Sequence, residues 1–138
     1  MKNTILRFFV DTTVAVSALT GRNEEAWVLL ESGRRRLVLL FVNEFVIKEI
    51  RWTLKEFHIS QEKINYGIGY VMECCTVRKN RSKHELVKYD IEDKNDRPVI
   101  AGAAHESAFL VTEDSVLMED AKKYIESITP GNALKKLS

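Results

Sequence analysis

The sequence predicts one α/β domain spanning residues 1–138, in which a mostly parallel central sheet is flanked by helices to give three layers. Three observations predict this class. The chain has 138 residues, enough to bury a hydrophobic core. Short apolar runs rich in β-branched and aromatic residues alternate with segments of helical periodicity. Two of these runs are followed directly by acidic residues, which is typical of the carboxyl ends of strands that form a ligand site.

The first apolar run, residues 5–10, ends at Asp11 and continues through Thr12 and Thr13 into a second apolar segment up to Leu19. A run this short and this apolar indicates a strand that is buried on both faces. Asp11 or Thr12 is predicted to lie at the N-cap of the helix that follows.

A second helix and a second strand are predicted next. Asn23 is a suitable N-cap for this helix, and Gly33 is placed where a C-terminal glycine would end it. The run at residues 37–42 repeats the buried-strand pattern. Asn43 then predicts the cap of a third helix, whose apolar residues, among them Ile50, recur at helical spacing.

The middle of the chain shows weaker patterns. Ser60 is predicted to cap a helix, although Gly67 and Gly69 each weaken it by about 1 kcal/mol relative to alanine. Residues 76–77 predict a short third strand. Residues 78–93 are highly charged and are interpreted as a mobile connection.

The last third repeats the strand and helix alternation. Pro98 is suited to the first turn of a helix that is capped near Asp96, because proline lacks an amide hydrogen that would be unpaired there. Residues 108–112 predict a buried strand followed by Asp114. Residues 124–128 alternate in the manner of an edge strand.

Composition limits the classes of function. Hydrophobic residues make up 45% of the chain and charged residues 30%, which is typical of a globular domain, and the net charge is only +1. No run approaches the roughly 18 apolar residues of a membrane span. The apolar N-terminal stretch is interrupted by Arg7 and Asp11, unlike a signal peptide. Adjacent Cys74 and Cys75 rarely meet disulfide geometry, so reduced thiols and a cytoplasmic location are expected.

Four acids are predicted to gather at one edge of the sheet: Asp11, Glu49, Asp96 and Asp114. Taken singly, Asp96 resembles an ordinary N-cap and Glu49 an exposed helix residue. Together, four carboxylates in one cleft repel each other unless some are protonated or a cation neutralises them. Ligands that offer only oxygen select Mg²⁺ or Mn²⁺. Such an ion polarises a phosphoryl oxygen and acidifies water, which suits phosphodiester hydrolysis.

Four segments resemble, in order and spacing, the PIN-domain ribonucleases, which include the toxin halves of VapBC-type toxin–antitoxin pairs. The segments are residues 9–19, 46–50, 93–104 and 109–114. The tail at residues 128–134 also resembles the closing strand and turn of one PIN subgroup. This resemblance implies a PIN-like fold over nearly the whole chain and a metal-dependent endoribonuclease. It further implies an RNA substrate, an antitoxin partner and self-association as a homodimer or larger assembly.

The same resemblance implies roles for individual residues. The four acids would be the catalytic quartet that binds Mg²⁺ or Mn²⁺. Thr112 would be a catalytic-site hydroxyl that forms hydrogen bonds within the site, and Thr12 would assist at the substrate. Two positions depart from the family pattern: Thr13 stands where many members have Asn, and Glu113 adds an acid where Gly or Arg is usual.

A nuclease also needs positive charge to bind the phosphate backbone. Arg51 and Arg97 are the best substrate-binding candidates, because they are close in sequence to the predicted ligands. Other candidates are Arg22, Arg34, Arg35, Arg36, Arg78, Lys79, Arg81 and Lys83. Trp27, Trp52 and Phe57 are interpreted as core or oligomer contacts rather than base-stacking residues.

Two other classes of function are compatible with parts of the sequence. The first is a catalytically silent PIN module that binds RNA or protein. The second is a phosphotransfer fold, either a haloacid-dehalogenase-type phosphatase or a response-regulator receiver. The phosphatase requires a second Asp where Thr13 stands, and the receiver requires a Lys after the late strand, where none follows Ile128 directly.

Overall fold

The computed structural model describes residues 5–138 and shows a five-stranded sheet with the order β3-β2-β1-β4-β5. The strands are β1 (Arg7–Val10), β2 (Leu39–Asn43), β3 (Thr76–Arg78), β4 (Phe109–Val111) and β5 (Ser127–Ile128). Each pair of neighbouring strands is parallel, so the predicted mostly parallel sheet is parallel throughout this part of the chain. The central strand is β1, and its two neighbours are β2 and β4.

Eight α-helices flank the sheet within residues 5–138. They are α1 (Thr12–Leu19), α2 (Glu24–Arg34), α3 (Glu44–Glu56), α4 (Gln61–Cys74), α5 (Lys83–Leu86), α6 (Arg97–His105), α7 (Ser115–Ala121) and α8 (Pro130–Leu137). A single 3₁₀ turn, Lys94–Asp96, precedes α6. The predicted three-layer α/β fold is confirmed, and no helix of the described residues is long and apolar enough to cross a membrane.

The helix caps follow the sequence predictions closely. The side chains of Asn23, Asn43 and Ser60 each accept a hydrogen bond from a backbone amide in the first turn of α2, α3 and α4 respectively. These bonds satisfy amide groups that have no partner within the helix. The helix α4 therefore forms despite its two glycines.

Other boundaries differ from the predictions. Residues 78–93, interpreted as a mobile connection, contain the one-turn helix α5, which Ser82 caps. Of the predicted strand at 124–128, only Ser127–Ile128 pairs with the sheet. The amides of Tyr124 and Ile125 instead donate to the carbonyl of Ala121, so these residues continue the turn after α7. The sequence patterns do not predict α7 itself.

The two faces of the sheet are covered by different helices. Leu40 and Phe41 are neighbours on β2, so their side chains point to opposite faces. On the Leu40 face lies α2, whose Gly33 contacts Leu40. On the other face lies α6, whose Gly102 approaches the Phe9 ring of β1. Because both faces are covered, β1 is buried on both sides as predicted.

Gly33 has a different role from the predicted one. The helix α2 continues past it to Arg34, and Arg36, with φ of 62°, adopts the left-handed conformation after the helix. Gly33 is instead required for space. A Cβ at this position would lie 2.4 Å from Leu40 Cδ1 and 2.6 Å from the carbonyl oxygen of Cys74. The missing side chain lets α2 approach both β2 and the end of α4.

We expect Gly33→Ala to lower the free energy of unfolding by about 1–3 kcal/mol, because the added methyl group meets a backbone carbonyl that cannot move aside. Urea denaturation followed by circular dichroism measures this. Gly69→Ala is the matched control, since a Cβ at Gly69 meets nothing within 4 Å and helix propensity predicts a gain of up to about 1 kcal/mol. Equal urea midpoints for the two variants would contradict this interpretation.

Of the two alternatives for three aromatic residues, core contact or oligomer contact, their exposure excludes the core. Trp27 is 47% exposed, Trp52 64% and Phe57 40%. All three lie on or next to α2 and α3 and face away from the hydrophobic core. Cys74 and Cys75 are both buried free thiols.

Candidate functional site

The predicted site residues come from three strands whose carboxyl ends meet at one edge of the sheet. Asp11 directly follows β1 and donates its amide to the carbonyl of Val111 on β4. Glu49 lies on α3, which begins at the end of β2, and Asp114 is the N-cap of α7, just after β4. Asp96 ends the 3₁₀ turn that leads into α6. Asp11, which follows the central strand, therefore has a candidate metal-binding partner on the β2 side and another on the β4 side.

Asp11 is the most enclosed of these acids, with only 5% of its surface exposed. Its Oδ2 accepts hydrogen bonds from the hydroxyls of Thr13 and Thr112, both at 2.8 Å. Burial raises the pKa of Asp11, while these two hydroxyls and the backbone amides of Thr12 and Thr13 act to lower it. The side chain is thus rigidly held, but its charge has no compensating cation from the described chain within 4.0 Å.

Thr112 connects the acids of two loops. Its fully buried hydroxyl donates to Asp11 and accepts a hydrogen bond from the amide of Asp114 at 3.0 Å. Thr13 forms a parallel link, because its hydroxyl donates to Asp11 and accepts from the amide of Glu113 at 3.1 Å. Two threonines therefore tie the end of β1 to the loop after β4.

Thr12 orients a second candidate ligand. Its hydroxyl donates to Glu49 Oε1 at 2.7 Å and so joins α1 to α3. Burial raises the pKa of Glu49, and the negative charges of Asp11 and Asp93 raise it further, whereas the Thr12 hydrogen bond lowers it. Sequence reasoning assigned Thr12 to the substrate, but here its hydroxyl is occupied by a carboxylate of the site.

Asp96 occupies the N-cap position of α6 but makes no capping hydrogen bond with its side chain. The capping carboxylate of this segment belongs to Asp93, which accepts from the amide of Asn95 at 3.0 Å. The pKa of Asp96 is raised to about 7. Burial is the largest cause, and a hydrogen bond with Asp120 and the charges of Asp93 and Asp114 raise the pKa further. The prediction of Asp96 as a cap is thus correct in position and wrong in bonding.

Asp120 is a member of this cluster that sequence reasoning missed. It lies on α7, and its carboxyl is close enough to that of Asp96 to raise the pKa of Asp96. Recognition of α7 as a helix in the sequence would have indicated this residue. With Asp114 as N-cap, Leu117 and Ala121 form the buried face of α7, and Asp120 lies beside that face.

The two arginines predicted to bind substrate are held by other groups. Arg51 donates from Nη1 to Asn65 Oδ1 on α4 at 3.0 Å. Arg97 donates from Nε to the carbonyl of Tyr89 at 2.8 Å and so anchors the preceding loop. Neither guanidinium forms an ion pair with the acids of the site within the described residues.

Glu113, the extra acid relative to the family pattern, is directed away from the cluster. Its carboxylate accepts hydrogen bonds from the hydroxyl of Ser17 and the side-chain amide of Asn23. It therefore fastens the loop after β4 to the turn between α1 and α2. The negative charge of Asp93, by contrast, raises the pKa of both Glu49 and Asp96.

The donor set suits a hard divalent cation. In the described part of the chain, the side chains assembled here offer only carboxylate and hydroxyl oxygens, the ligands that Mg²⁺ and Mn²⁺ prefer. Glu49 Oε2 and Asp114 Oδ2 accept no hydrogen bond from residues 5–138, because Thr12 and the α7 amides bond the other oxygen of each. Across the same residues, no three acidic, histidine or cysteine side chains already converge on one ion position.

Comparison with known proteins finds similarity in structure only. No family model and no curated protein match the sequence. VapBC2 from Rickettsia felis, bound to a DNA fragment from their promoter, matches with TM-score 0.69 and 14% identity over 90% of this chain and 98% of that one. PAE2754 from Pyrobaculum aerophilum matches with TM-score 0.68 and 18% identity, over 96% of this chain and 89% of that one. A PilT N-terminus domain protein from Sulfolobus solfataricus P2 matches with TM-score 0.59 and 12% identity, over 96% of this chain and 93% of that one.

The fold is therefore PIN-like, similar to that of the VapBC and PilT N-terminus domain structures. This confirms the fold that the four sequence segments implied. The covered lengths show that the likeness includes nearly the whole of this chain and of each of these structures.

Proposed function

We propose that this chain is a Mg²⁺- or Mn²⁺-dependent endoribonuclease whose metal ligands are Asp11, Glu49, Asp96 and Asp114. The observation that carries the proposal is the buried Asp11 carboxyl, which two threonine hydroxyls hold in place without a neighbouring cation from the described residues. A buried carboxylate is costly unless it is paired or coordinates a metal. The PIN-domain fold, shared with VapBC and FitAB structures, supports the same proposal.

The chain's own residues prepare this site in defined ways. Thr13 and Thr112 fix the direction of the Asp11 carboxyl, and Thr12 fixes that of Glu49. A bound divalent cation would supply the positive charge that polarises a phosphoryl oxygen and acidifies water. Without a cation, burial and the neighbouring carboxyls raise the pKa of Asp96 to about 7, and a bound cation would favour its deprotonated form as a ligand.

The assay that tests the proposal is cleavage of a labelled single-stranded RNA by the purified chain. We expect cleavage with Mn²⁺ or Mg²⁺, none with EDTA, and recovery when the cation is restored in excess. A chain that binds the RNA but leaves it intact across titrations of both cations would instead be the silent PIN module considered above. A rate that EDTA does not change would exclude the metal-dependent mechanism.

We also propose that the chain acts as a toxin with a protein antitoxin and that it self-associates. Similar structures include VapBC-1 from nontypeable Haemophilus influenzae and FitAcB from Neisseria gonorrhoeae. Large aromatic side chains are enriched in protein interfaces, and here Trp52 of α3 is 64% exposed and Tyr66 of α4 is 77% exposed. A gene immediately upstream that encodes a small DNA-binding protein would support this role. Failure of that protein to bind the purified chain would contradict it.

A further inference from the structure

We propose that a basic pocket between α6 and the loop after β3 binds a backbone phosphate of the nucleic acid strand, away from the acidic cluster. The pocket has a volume of about 330 Å³, and its lining includes Arg78, Lys79, Arg81, His105 and Glu106. This volume is at the lower end of the range for ligand sites and accommodates a phosphate with its sugar. The choice of a nucleic acid as the ligand rests on the proposed function.

Positive charge exceeds negative charge in this pocket. The one buried acid, Glu106, is shared by two arginines: Arg7 Nη2 lies 3.1 Å from its Oε1, and Arg78 Nε lies 3.3 Å from its Oε2. Both guanidinium groups also lie over the Phe41 ring, at 4.6 Å and 5.3 Å from its centroid. One carboxylate therefore neutralises only one of the two arginines, and Lys79 adds a further positive charge.

The hydrogen-bonding capacity of these cations is also unused. Among the described residues, the side chains of Arg78 and Lys79 donate no hydrogen bond, and in the ion pair of Arg78 with Glu106 the atom facing Oε2 at 3.3 Å is Nε. A guanidinium with two free terminal nitrogens can donate to two oxygens of one phosphate. Arg81 and His105 complete the wall, with Arg81 Nη1 lying 3.3 Å from His105 Nε2.

The pocket is held in shape before any ligand binds. The Asn80 side chain accepts from the amide of Phe45 at 2.8 Å, and the Asn80 amide donates to Glu44 Oε1 at 3.3 Å. Arg81 is fixed by two hydrogen bonds to Glu85, at 2.9 Å and 2.8 Å. Cations that are already ordered lose less conformational entropy when a phosphate binds.

The position of the pocket suits a strand that also crosses the acidic cluster. Asn43 lines the pocket, caps α3 and donates to the carbonyl of Pro98 at the start of α6. Glu49 lies on α3, and Asp96 is the N-cap of α6. A strand with one phosphate at the acids can therefore follow α3 and α6 to place a phosphate further along its backbone between Arg78 and Lys79. Contacts of this kind position a strand without reading its bases.

The test is RNA binding in EDTA, measured by fluorescence anisotropy of a short labelled single strand over a series of NaCl concentrations. Lys79→Gln is expected to weaken binding and to reduce the slope of log affinity against log salt by about 0.7, the value for one phosphate contact on a single strand. Arg78→Lys, which keeps a charge beside Glu106, is expected to weaken binding because two-point donation is lost. Lys55→Gln is the matched control, since this exposed lysine lies about 18 Å further along α3 than Asn43.

Equal salt slopes for Lys79→Gln, Lys55→Gln and the parent chain would overturn the proposal, provided that the melting temperatures show all three folded. Titration with inorganic phosphate, followed by the amide resonances of residues 78–81, separates the two possible sources of the ligand. If these resonances shift while Lys79→Gln and Arg78→Lys leave RNA binding unchanged, the pocket binds free phosphate, and the proposal of a nucleic acid ligand is overturned. Because binding is measured in EDTA, the outcome does not depend on cleavage, and failure of the cleavage assay alone leaves this result standing.

Discussion

Asp11→Asn is expected to lower the rate of Mn²⁺-dependent RNA cleavage by roughly 10³-fold, the largest effect of any single substitution in this chain. Stabilisation of a phosphoryl transition state by a metal is worth several kcal/mol, and each 1.36 kcal/mol corresponds to a factor of ten in rate. Asp11 is the candidate ligand on the central strand and the most buried of the four. Removal of its charge therefore weakens the cation site at its centre.

The fold is expected to survive this substitution. The amide oxygen of Asn can accept the hydroxyls of Thr13 and Thr112 in place of Oδ2, and the cost of burying a charge disappears. We expect the melting temperature in EDTA to stay the same or to rise. Asp90→Asn is the control, because it makes the same chemical change at an exposed loop acid. Cleavage by Asp11→Asn at the parent rate, with Mn²⁺ present, would show that the proposed mechanism is wrong.

The second large effect is on stability as a function of pH in the absence of divalent cations. The pKa of Asp96 is raised to about 7, and those of Asp11 and Glu49 are raised as well. Between its ordinary value of 3.8 and about 7, Asp96 binds more protons in the folded than in the unfolded chain. Stability therefore falls as pH rises through this window. We expect the melting temperature in EDTA to be lower at pH 8 than at pH 5.5.

A divalent cation should reverse this dependence. Binding requires the deprotonated carboxylates, so the cation stabilises the folded chain most at the alkaline end of the window. Thermal melts with EDTA, Mg²⁺ and Mn²⁺ at both pH values measure the effect. Glu31 and Glu85 do not affect the comparison between pH 5.5 and pH 8, because their lowered pKa values change stability only at more acidic pH. A melting temperature in EDTA that rises with pH over this range would contradict the linkage.

The strands and caps were predictable because local chemistry decides them. A short β-branched and aromatic run such as residues 5–10 has few alternatives to a buried strand, and Asn43 or Ser60 before a periodic apolar segment favours an N-cap. Gly33 shows the limit of local reasoning. Glycine after an apolar stripe usually ends a helix, but here the helix continues and the glycine serves a contact with Leu40 and Cys74.

The positions of the acids at one edge of the sheet follow from the topology, whereas their hydrogen bonds do not. Acids that follow parallel strands are expected to meet, because the topology brings the strand ends together. The hydrogen bond from Thr12 to Glu49 and the approach of Asp120 to Asp96 depend on side-chain directions that no local pattern encodes. Glu113 could have joined the cluster by sequence position alone, and only its bonds to Ser17 and Asn23 turn it away.

The hydrogen bond from Thr112 to Asp11 joins residues 101 positions apart in the chain. During synthesis, the Asp11 loop leaves the ribosome long before β4 and Thr112 are available to complete it. A contact of such long range forms only when the late strand docks beside the first one, and contacts between distant residues generally form slowly. A partly synthesised chain that lacks β4 thus has an incomplete acidic cluster. For a protein proposed to cleave RNA, this order of assembly delays activity until β4 has docked beside β1.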